Sequence, residues 1–424
     1  MRTESYEIAK GVNLRFLQTD KFKTNVMSVY FRLPLCCDTI TKAALIPRVL
    51  KRGSEKYPTL TALSRRAEEL YGATIGADID KRGDMALLRI SVQFVSDSFI
   101  NESIIGDITE LLKEFVLCPV VKDGGFDKTY VCQEKENAKN FIQGLINDKK
   151  AYASVRCNEI MFEDDPYGIF EYGYVEDLEE IDEKNLYEFY KEVVNNAQVD
   201  IFVSGSFDEK LMKTEIEKNF KNALGNRNQI RCETKLAEFE ENIEVKNVTE
   251  EMPVSQSKLV MGFNCGINPI SDEYYGVVLF SCIYGASPFS KLFNNVREKL
   301  SLAYYVFSAA DRQKSCMKIS AGIEAEKFDE AYNEIMIQLD KMKSGDFTDD
   351  EISSAKKYLK TQMGSVKDSL VATEDFYMGR LLMGIDETVE SFFDKLSQVT
   401  RQDIINAANK MQLDTIYFLK GVGE

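Results

Sequence analysis

The chain has 424 residues, 44% of them hydrophobic and 29% charged, with a formal net charge of −16 and no histidine. That length exceeds one ordinary core and implies two to four domains of a globular protein. The negative charge argues against a nucleic-acid partner or an anionic membrane surface, and the missing histidine excludes Ser–His and Cys–His catalysis.

The opening Met1-Arg2-Thr3-Glu4-Ser5-Tyr6-Glu7 lacks the apolar centre of a signal peptide. The longest apolar stretch, residues 276–286, is too short to span a bilayer. Nine cysteines without a C-x-x-C spell neither a disulfide framework nor a thiolate zinc site, and adjacent Cys36 and Cys37 read as two reduced thiols. The expectation is a soluble, reduced, cytoplasmic chain.

In chain order, Val12-Asn13-Leu14-Arg15-Phe16 and Met27-Ser28-Val29-Tyr30-Phe31-Arg32-Leu33 alternate as strands and are expected to form a hairpin or neighbouring antiparallel strands. Ala44-Leu45-Ile46-Pro47-Arg48 and Leu50-Lys51-Arg52-Gly53-Ser54-Glu55-Lys56-Tyr57-Pro58 follow. After a tyrosine-bearing segment, Leu70-Tyr71-Gly72-Ala73, comes a strand with Arg89-Ile90-Ser91-Val92. Ile104, Ile108, Leu111, Leu112 and Phe115 then share one helical face. A helix is expected over 126–143, placing Asp127 and Glu134 seven residues apart on one face; solvated carboxylates are the plain reading of such a pair. Asp182 reads as the N-cap of a helix carrying Leu186 inward, ahead of the strand Val199-Asp200-Ile201-Phe202-Val203-Ser204-Gly205.

The second half follows the same order. Lys258-Leu259-Val260-Met261-Gly262-Phe263 reads as a strand, Leu302-Ala303-Tyr304-Tyr305 precedes Lys318-Ile319-Ser320-Ala321, and Phe328, Ala331, Ile335, Leu339 and Met342 form a helical stripe. Thr348-Asp349-Asp350-Glu351 is a capping box opening a helix with Ile352, Ala355 and Leu359. Thr400 caps a helix carrying Ile404 before the last strand, Asp414-Thr415-Ile416-Tyr417-Phe418-Leu419-Lys420-Gly421. The repeated order predicts two homologous α+β halves of about 200 residues each. The expected limits are 1–222, a polar linker over 223–253 that includes the solvated acidic run at 238–242, and 254–424.

The segment from Leu50 to Pro58 resembles the L-F-K-G-T-x-x-Y/R-P stretch that follows H-x-x-E-H in insulinase/pitrilysin-type zinc peptidases. In that register Ala44 and Arg48 take the two histidine positions and Pro47 that of the general-base glutamate. None of the three can ligate zinc or activate water. Glu134 matches the third zinc ligand, and Asp127 the acid seven residues before it. Two carboxylates without imidazole bind zinc poorly, and adventitious Ca²⁺ or Mg²⁺ is the most they would hold. No metal and no cofactor are expected.

The eighteen-residue run Ser287-Pro288-Phe289-Ser290-Lys291-Leu292-Phe293-Asn294-Asn295-Val296-Arg297-Glu298-Lys299-Leu300-Ser301-Leu302-Ala303-Tyr304 is similar to the family's S-x-L-F-x-x-[IV]-R-E-K-x-G-L-A-Y, with Ser301 where glycine is usual. The resemblance gives Arg297 and Tyr304 the role of holding substrate backbone and stabilising an oxyanion. A guanidinium fork and a phenol are suitable donors for that. Without the resemblance they read as a surface arginine and a core tyrosine.

The resemblance covers essentially the whole chain and is closest to short bacterial members. It implies two α/β two-layer domains of the LuxS/MPP-like metallohydrolase fold, with mostly antiparallel sheets and helices on one face. Some such proteins come in pairs, one subunit carrying H-x-x-E-H and the other the arginine–tyrosine pair. The leading expectation is therefore a catalytically inactive homologue. It would complete an active zinc-peptidase partner in a heterodimer, or pair with a second copy, around a peptide substrate. The alternative is a stand-alone peptide-binding or scaffold protein. A metal-free cysteine hydrolase is set aside, because no histidine could activate the thiol.

Overall fold

The computed structural model describes residues 2–225 and 244–422. Its strands in chain order are β1 (Arg2–Ala9), β2 (Val12–Gln18), β3 (Thr24–Pro34), β4 (Thr74–Arg82), β5 (Met85–Val95), the short β6 (Val121–Lys122) and β7 (Gly125–Phe126), β8 (Gln198–Gly205), β9 (Lys246–Met252), β10 (Ser257–Asn264), β11 (Ala303–Asp311), β12 (Cys316–Ile323) and β13 (Gln412–Gly421). The first sheet has the order β4-β5-β3-β8-β2-β1 and the second β11-β12-β10-β13-β9. The second order repeats the first without its last edge strand. The single parallel pair of each sheet falls at the same place, β8 with β2 and β13 with β9. All other ladders within the two sheets are antiparallel. β5, which carries Arg89–Val92, and β12, which carries Lys318–Ala321, take the same place in the two strand orders.

The expected pairing of β2 with β3 is corrected: β8 lies between them. The antiparallel partner of β2 is β1, joined through a tight turn at Lys10 and Gly11, where Gly11 has φ 69°. The reason is burial. Val199, Ile201 and Val203 of β8 are fully inaccessible on the helix-facing side, so this strand takes the centre of the sheet rather than an edge.

Period-two alternation sorts the first sheet into two faces. Val12, Leu14, Met27, Val29, Ile90 and Val92 join one core with α1 (Cys37–Leu50), α2 (Leu60–Glu69), α3 (Ile105–Leu117), α4 (Lys128–Gly144) and the helix Glu183–Asn196. Each such fully buried aliphatic side chain contributes about 1.5–3 kcal/mol. The opposite face is polar: Ser28, Arg89 and Ser204 surround the fully buried Glu374. In the second sheet Leu259, Met261, Phe263, Met317 and Ile319 face the helices Phe328–Ser344 and Arg401–Lys410. Its other face is covered by α5 (Lys149–Met161), through Ala153 and Cys157 against Val260, Tyr417 and Leu419. A Cβ at Gly262 would lie 2.6 Å from Met161 Sδ, so glycine is what lets α5 cross there.

The expected caps are present: Asp182, Thr348 and Thr400 each close a capping box, and Leu186 and Ile404 are fully buried. Contacts divide the chain into two compact units. One is Met1–Gln143, Ile169–Thr234 and Ser369–Asp375; the other is Gly144–Gly168, Lys235–Asp368 and Phe376–Glu424. The stretch that precedes the expected linker thus splits, with α5 belonging to the second unit. Of that linker, 226–243 lies outside the described residues, together with the acidic run, and Lys246–Met252 is a strand.

Candidate functional site

Helix α1 presents an apolar face, with Ile40, Ala43, Ala44 and Leu50 in the first core and Pro47 also buried. Pro47 has no N–H to donate within the helix, three residues before its end. Arg48 is half-buried and lays its guanidinium over the Phe141 ring, 5.3 Å from the centroid. The helix ends at Leu50, with Lys51 as its C-cap and Arg52 in the turn that follows. Ala44, Pro47, Arg48, Arg52, Asp78 and Glu134 share a cavity of about 380 Å³.

Glu134 comes into this cavity from α4 and is buried. Its Oε1 accepts from Arg52 Nε at 2.5 Å and from Asn137 Nδ2 at 3.2 Å, and a terminal nitrogen of Arg52 also pairs with it. Asp127 is elsewhere. The helix starts at Lys128, two residues later than expected, so Asp127 stands just outside it and caps it. Its Oδ1 accepts from the backbone N–H of Thr129 and Tyr130, and Lys122 Nζ reaches Oδ2 at 2.5 Å. Burial pushes the Asp127 carboxyl up, but those donors outweigh it and hold the group below its usual value.

Zinc needs three or four nitrogen, sulfur or oxygen donors at about 2.0–2.3 Å. Here a methyl, a pyrrolidine and a guanidinium take the three helix positions, and the carboxylate is already balanced by an arginine. Among the described residues no three cysteine, aspartate or glutamate side chains converge on a point that could hold a metal. The residues present do not fit the ion that the resemblance implies.

Arg297 and Tyr304 lie in the second unit, on either side of a bend. The stretch Phe293–Lys299 is a wide π-helical turn, a geometry often found at functional sites. It closes with Leu300 N–H on the Asn295 carbonyl and Leu302 N–H on the Val296 carbonyl. Ser301 turns the chain with φ 51°, the left-handed conformation that glycine adopts without strain. Strand β11 begins two residues later. The Arg297 side chain is 43% exposed, 3.5 Å from Glu298 Oε1 and stacked over Phe293 at 4.8 Å. Tyr304 is 59% exposed and donates a long 3.3 Å bond to Glu324 Oε1. Both groups thus keep donor capacity for something outside the chain, and Tyr304 is not the core residue its context-free reading suggests.

Sequence reasoning missed the cavity's basic wall. Lys51 and Arg52 stood in a motif already quoted, three and four residues beyond Arg48, and that spacing alone puts them on one turn. Asp78 and Tyr172, which also line the cavity, carried no sequence signal. Cys36 and Cys37 are both free thiols. No helix among the described residues is long and apolar enough to cross a membrane.

The family profile described as Peptidase M16 inactive domain matches residues 180–359. A Bacillus subtilis (strain 168) protein named "Probable inactive metalloprotease YmfF" is 32% identical over 415 residues, 97% of this chain and 96% of that protein. The crystal structure of a conserved protein from Enterococcus faecalis V583 superimposes with a TM-score of 0.92 at 30% identity, covering 100% of both chains. A Pseudomonas fluorescens structure titled as a peptidase M16 inactive domain gives 0.80 at 18% identity, over 100% of this chain and 98% of that one, a likeness of fold. With the cavity, the strand order and a relative matched end to end all in agreement, the chain belongs to the insulinase/pitrilysin-type M16 peptidase family.

Proposed function

We propose that this chain is a catalytically inactive M16 homologue that serves as the non-zinc subunit of a two-chain peptidase, supplying Arg297 and Tyr304 to the substrate backbone. One contrast carries the reading: the metal helix has lost every donor, while the arginine–tyrosine pair is intact and exposed. Erosion without selection would have no reason to spare one and remove the other. In this role the guanidinium and the phenol hydroxyl donate to a peptide carbonyl as negative charge develops on its oxygen. The partner is a homologue carrying H-x-x-E-H, and the substrate is a peptide.

The test is reconstitution. The purified chain is mixed with an H-x-x-E-H homologue encoded by the same organism, and complex formation and peptide cleavage are measured together. A complex with activity that depends on Arg297 supports the reading. A complex whose activity is unchanged by Arg297→Ala/Tyr304→Phe, or no complex with any such homologue, overturns it. Peptide binding by the chain alone would then favour the stand-alone scaffold.

A further inference from the structure

The cavity at the end of α1 is lined by charges of both signs. Arg48, Lys51 and Arg52 bring three cations to it, and Asp78 and Glu134 bring two carboxylates. Arg52 is committed to Glu134. Arg48 and Lys51 form no ion pair among the described residues. The Arg48 guanidinium lies over the Phe141 ring, 5.3 Å from its centroid, and an arginine so placed can still present its N–H groups to an acceptor. Ala44 and Ile79, both buried, and Ala77 supply apolar wall in the same space.

We propose that this cavity is a recognition pocket for one carboxylate carried on a peptide, bound by Arg48 and Lys51. A carboxylate suits the donors, because an arginine edge meets its two oxygens in one plane. The charge balance selects against phosphate. A phosphoryl group of nearly two negative charges would face Asp78 and Glu134 as well as the cations. The apolar wall matches the methylene carbons of a glutamate-like side chain, and about 380 Å³ accommodates one with its neighbouring backbone. The pocket lies wholly within the first unit and does not depend on the two-chain reading.

The experiment uses the full chain alone and fluorescence anisotropy. The probe is an unstructured eight-residue peptide, acetylated and amidated, with one internal glutamate. Comparison peptides carry glutamine or phosphoserine there, or glutamine with a free C-terminal carboxylate. The glutamate peptide should bind about tenfold tighter than its amidated glutamine analogue, the scale of one charge-assisted contact. Arg48→Gln/Lys51→Gln should remove that preference. Lys51→Gln alone, at an exposed position where folding is not at issue, should reduce it. Tighter binding of the free-carboxylate peptide would support the pocket with the chain terminus as its source. Equal binding of glutamate and glutamine peptides, a preference that survives the double substitution, or tighter binding of phosphoserine would overturn the proposal.

Discussion

Arg52 aims its Nε and one terminal nitrogen at a single oxygen, Oε1 of Glu134, and so balances that buried carboxylate with a cation from the chain itself. The two residues stand 82 positions apart in the chain, and their pairing occupies the acid that the resemblance puts at the third ligand position. Arg52→Ala should cost about 1–3 kcal/mol, because it leaves a largely buried carboxylate with Asn137 as its remaining donor. Glu134→Ala in the Arg52→Ala background should cost much less than it does alone. Urea unfolding of all four members of the cycle measures this, and strictly additive effects would contradict it.

The isolated chain should retain no stoichiometric zinc. Elemental analysis after gel filtration in zinc-containing buffer is the measurement, paired with an assay on unstructured peptides with and without chelator. Stoichiometric zinc with chelator-sensitive cleavage would contradict the donor set described here.

Substituting Arg297 should be mild for the fold and severe for the complex. The side chain is half-exposed and only loosely paired, so Arg297→Ala should change stability by less than about 0.5 kcal/mol. In a reconstituted peptidase it should lower kcat/KM on the order of 10²-fold, with Tyr304→Phe smaller. A loss confined to KM would mean the pair holds substrate; a loss in kcat would place it at the transition state.

Ser301 adopts φ 51°, in the left-handed region that favours glycine. Ser301→Gly removes the Cβ clash but loosens the unfolded chain, so the net gain should be about 0.5–1 kcal/mol. Chemical denaturation that follows the second unit should show the shift. A destabilised variant would mean the serine hydroxyl has a role the geometry does not reveal.

Glu374 is the acid whose titration should register in stability. Burial raises its pKa above the ordinary 4.5, against the lowering effects of Arg89, Ser28, Ser204 and Tyr30, while Tyr30 and Asp375 are the other titratable groups beside it. A carboxyl with a raised folded pKa holds its proton more tightly when folded. Its contribution is therefore fully present at or below pH 4.5 and is lost as pH rises through the folded value. The stability difference between the wild type and Glu374→Gln should move against the wild type from pH 4.5 upward. Parallel stability–pH curves for the two proteins would contradict this.

The sequence by itself determined the elements and the losses. Alternation at period two and stripes at period 3.6 marked the strands and helices, capping residues marked helix starts, and the absence of histidine excluded Ser–His and Cys–His catalysis. These are local properties, written in neighbouring residues. Tertiary structure decided everything that depends on distant partners. It set β8 between β2 and β3, because the most buried strand takes the sheet's centre whatever its place in the chain. It gave α5 to the second sheet, through the space left at Gly262. It made Asp127 a cap rather than a helical neighbour of Glu134, because the helix begins one residue after it. And it brought Arg52 to Glu134, since a buried carboxylate needs a cation partner, and which one can reach it is settled only once the chain has folded.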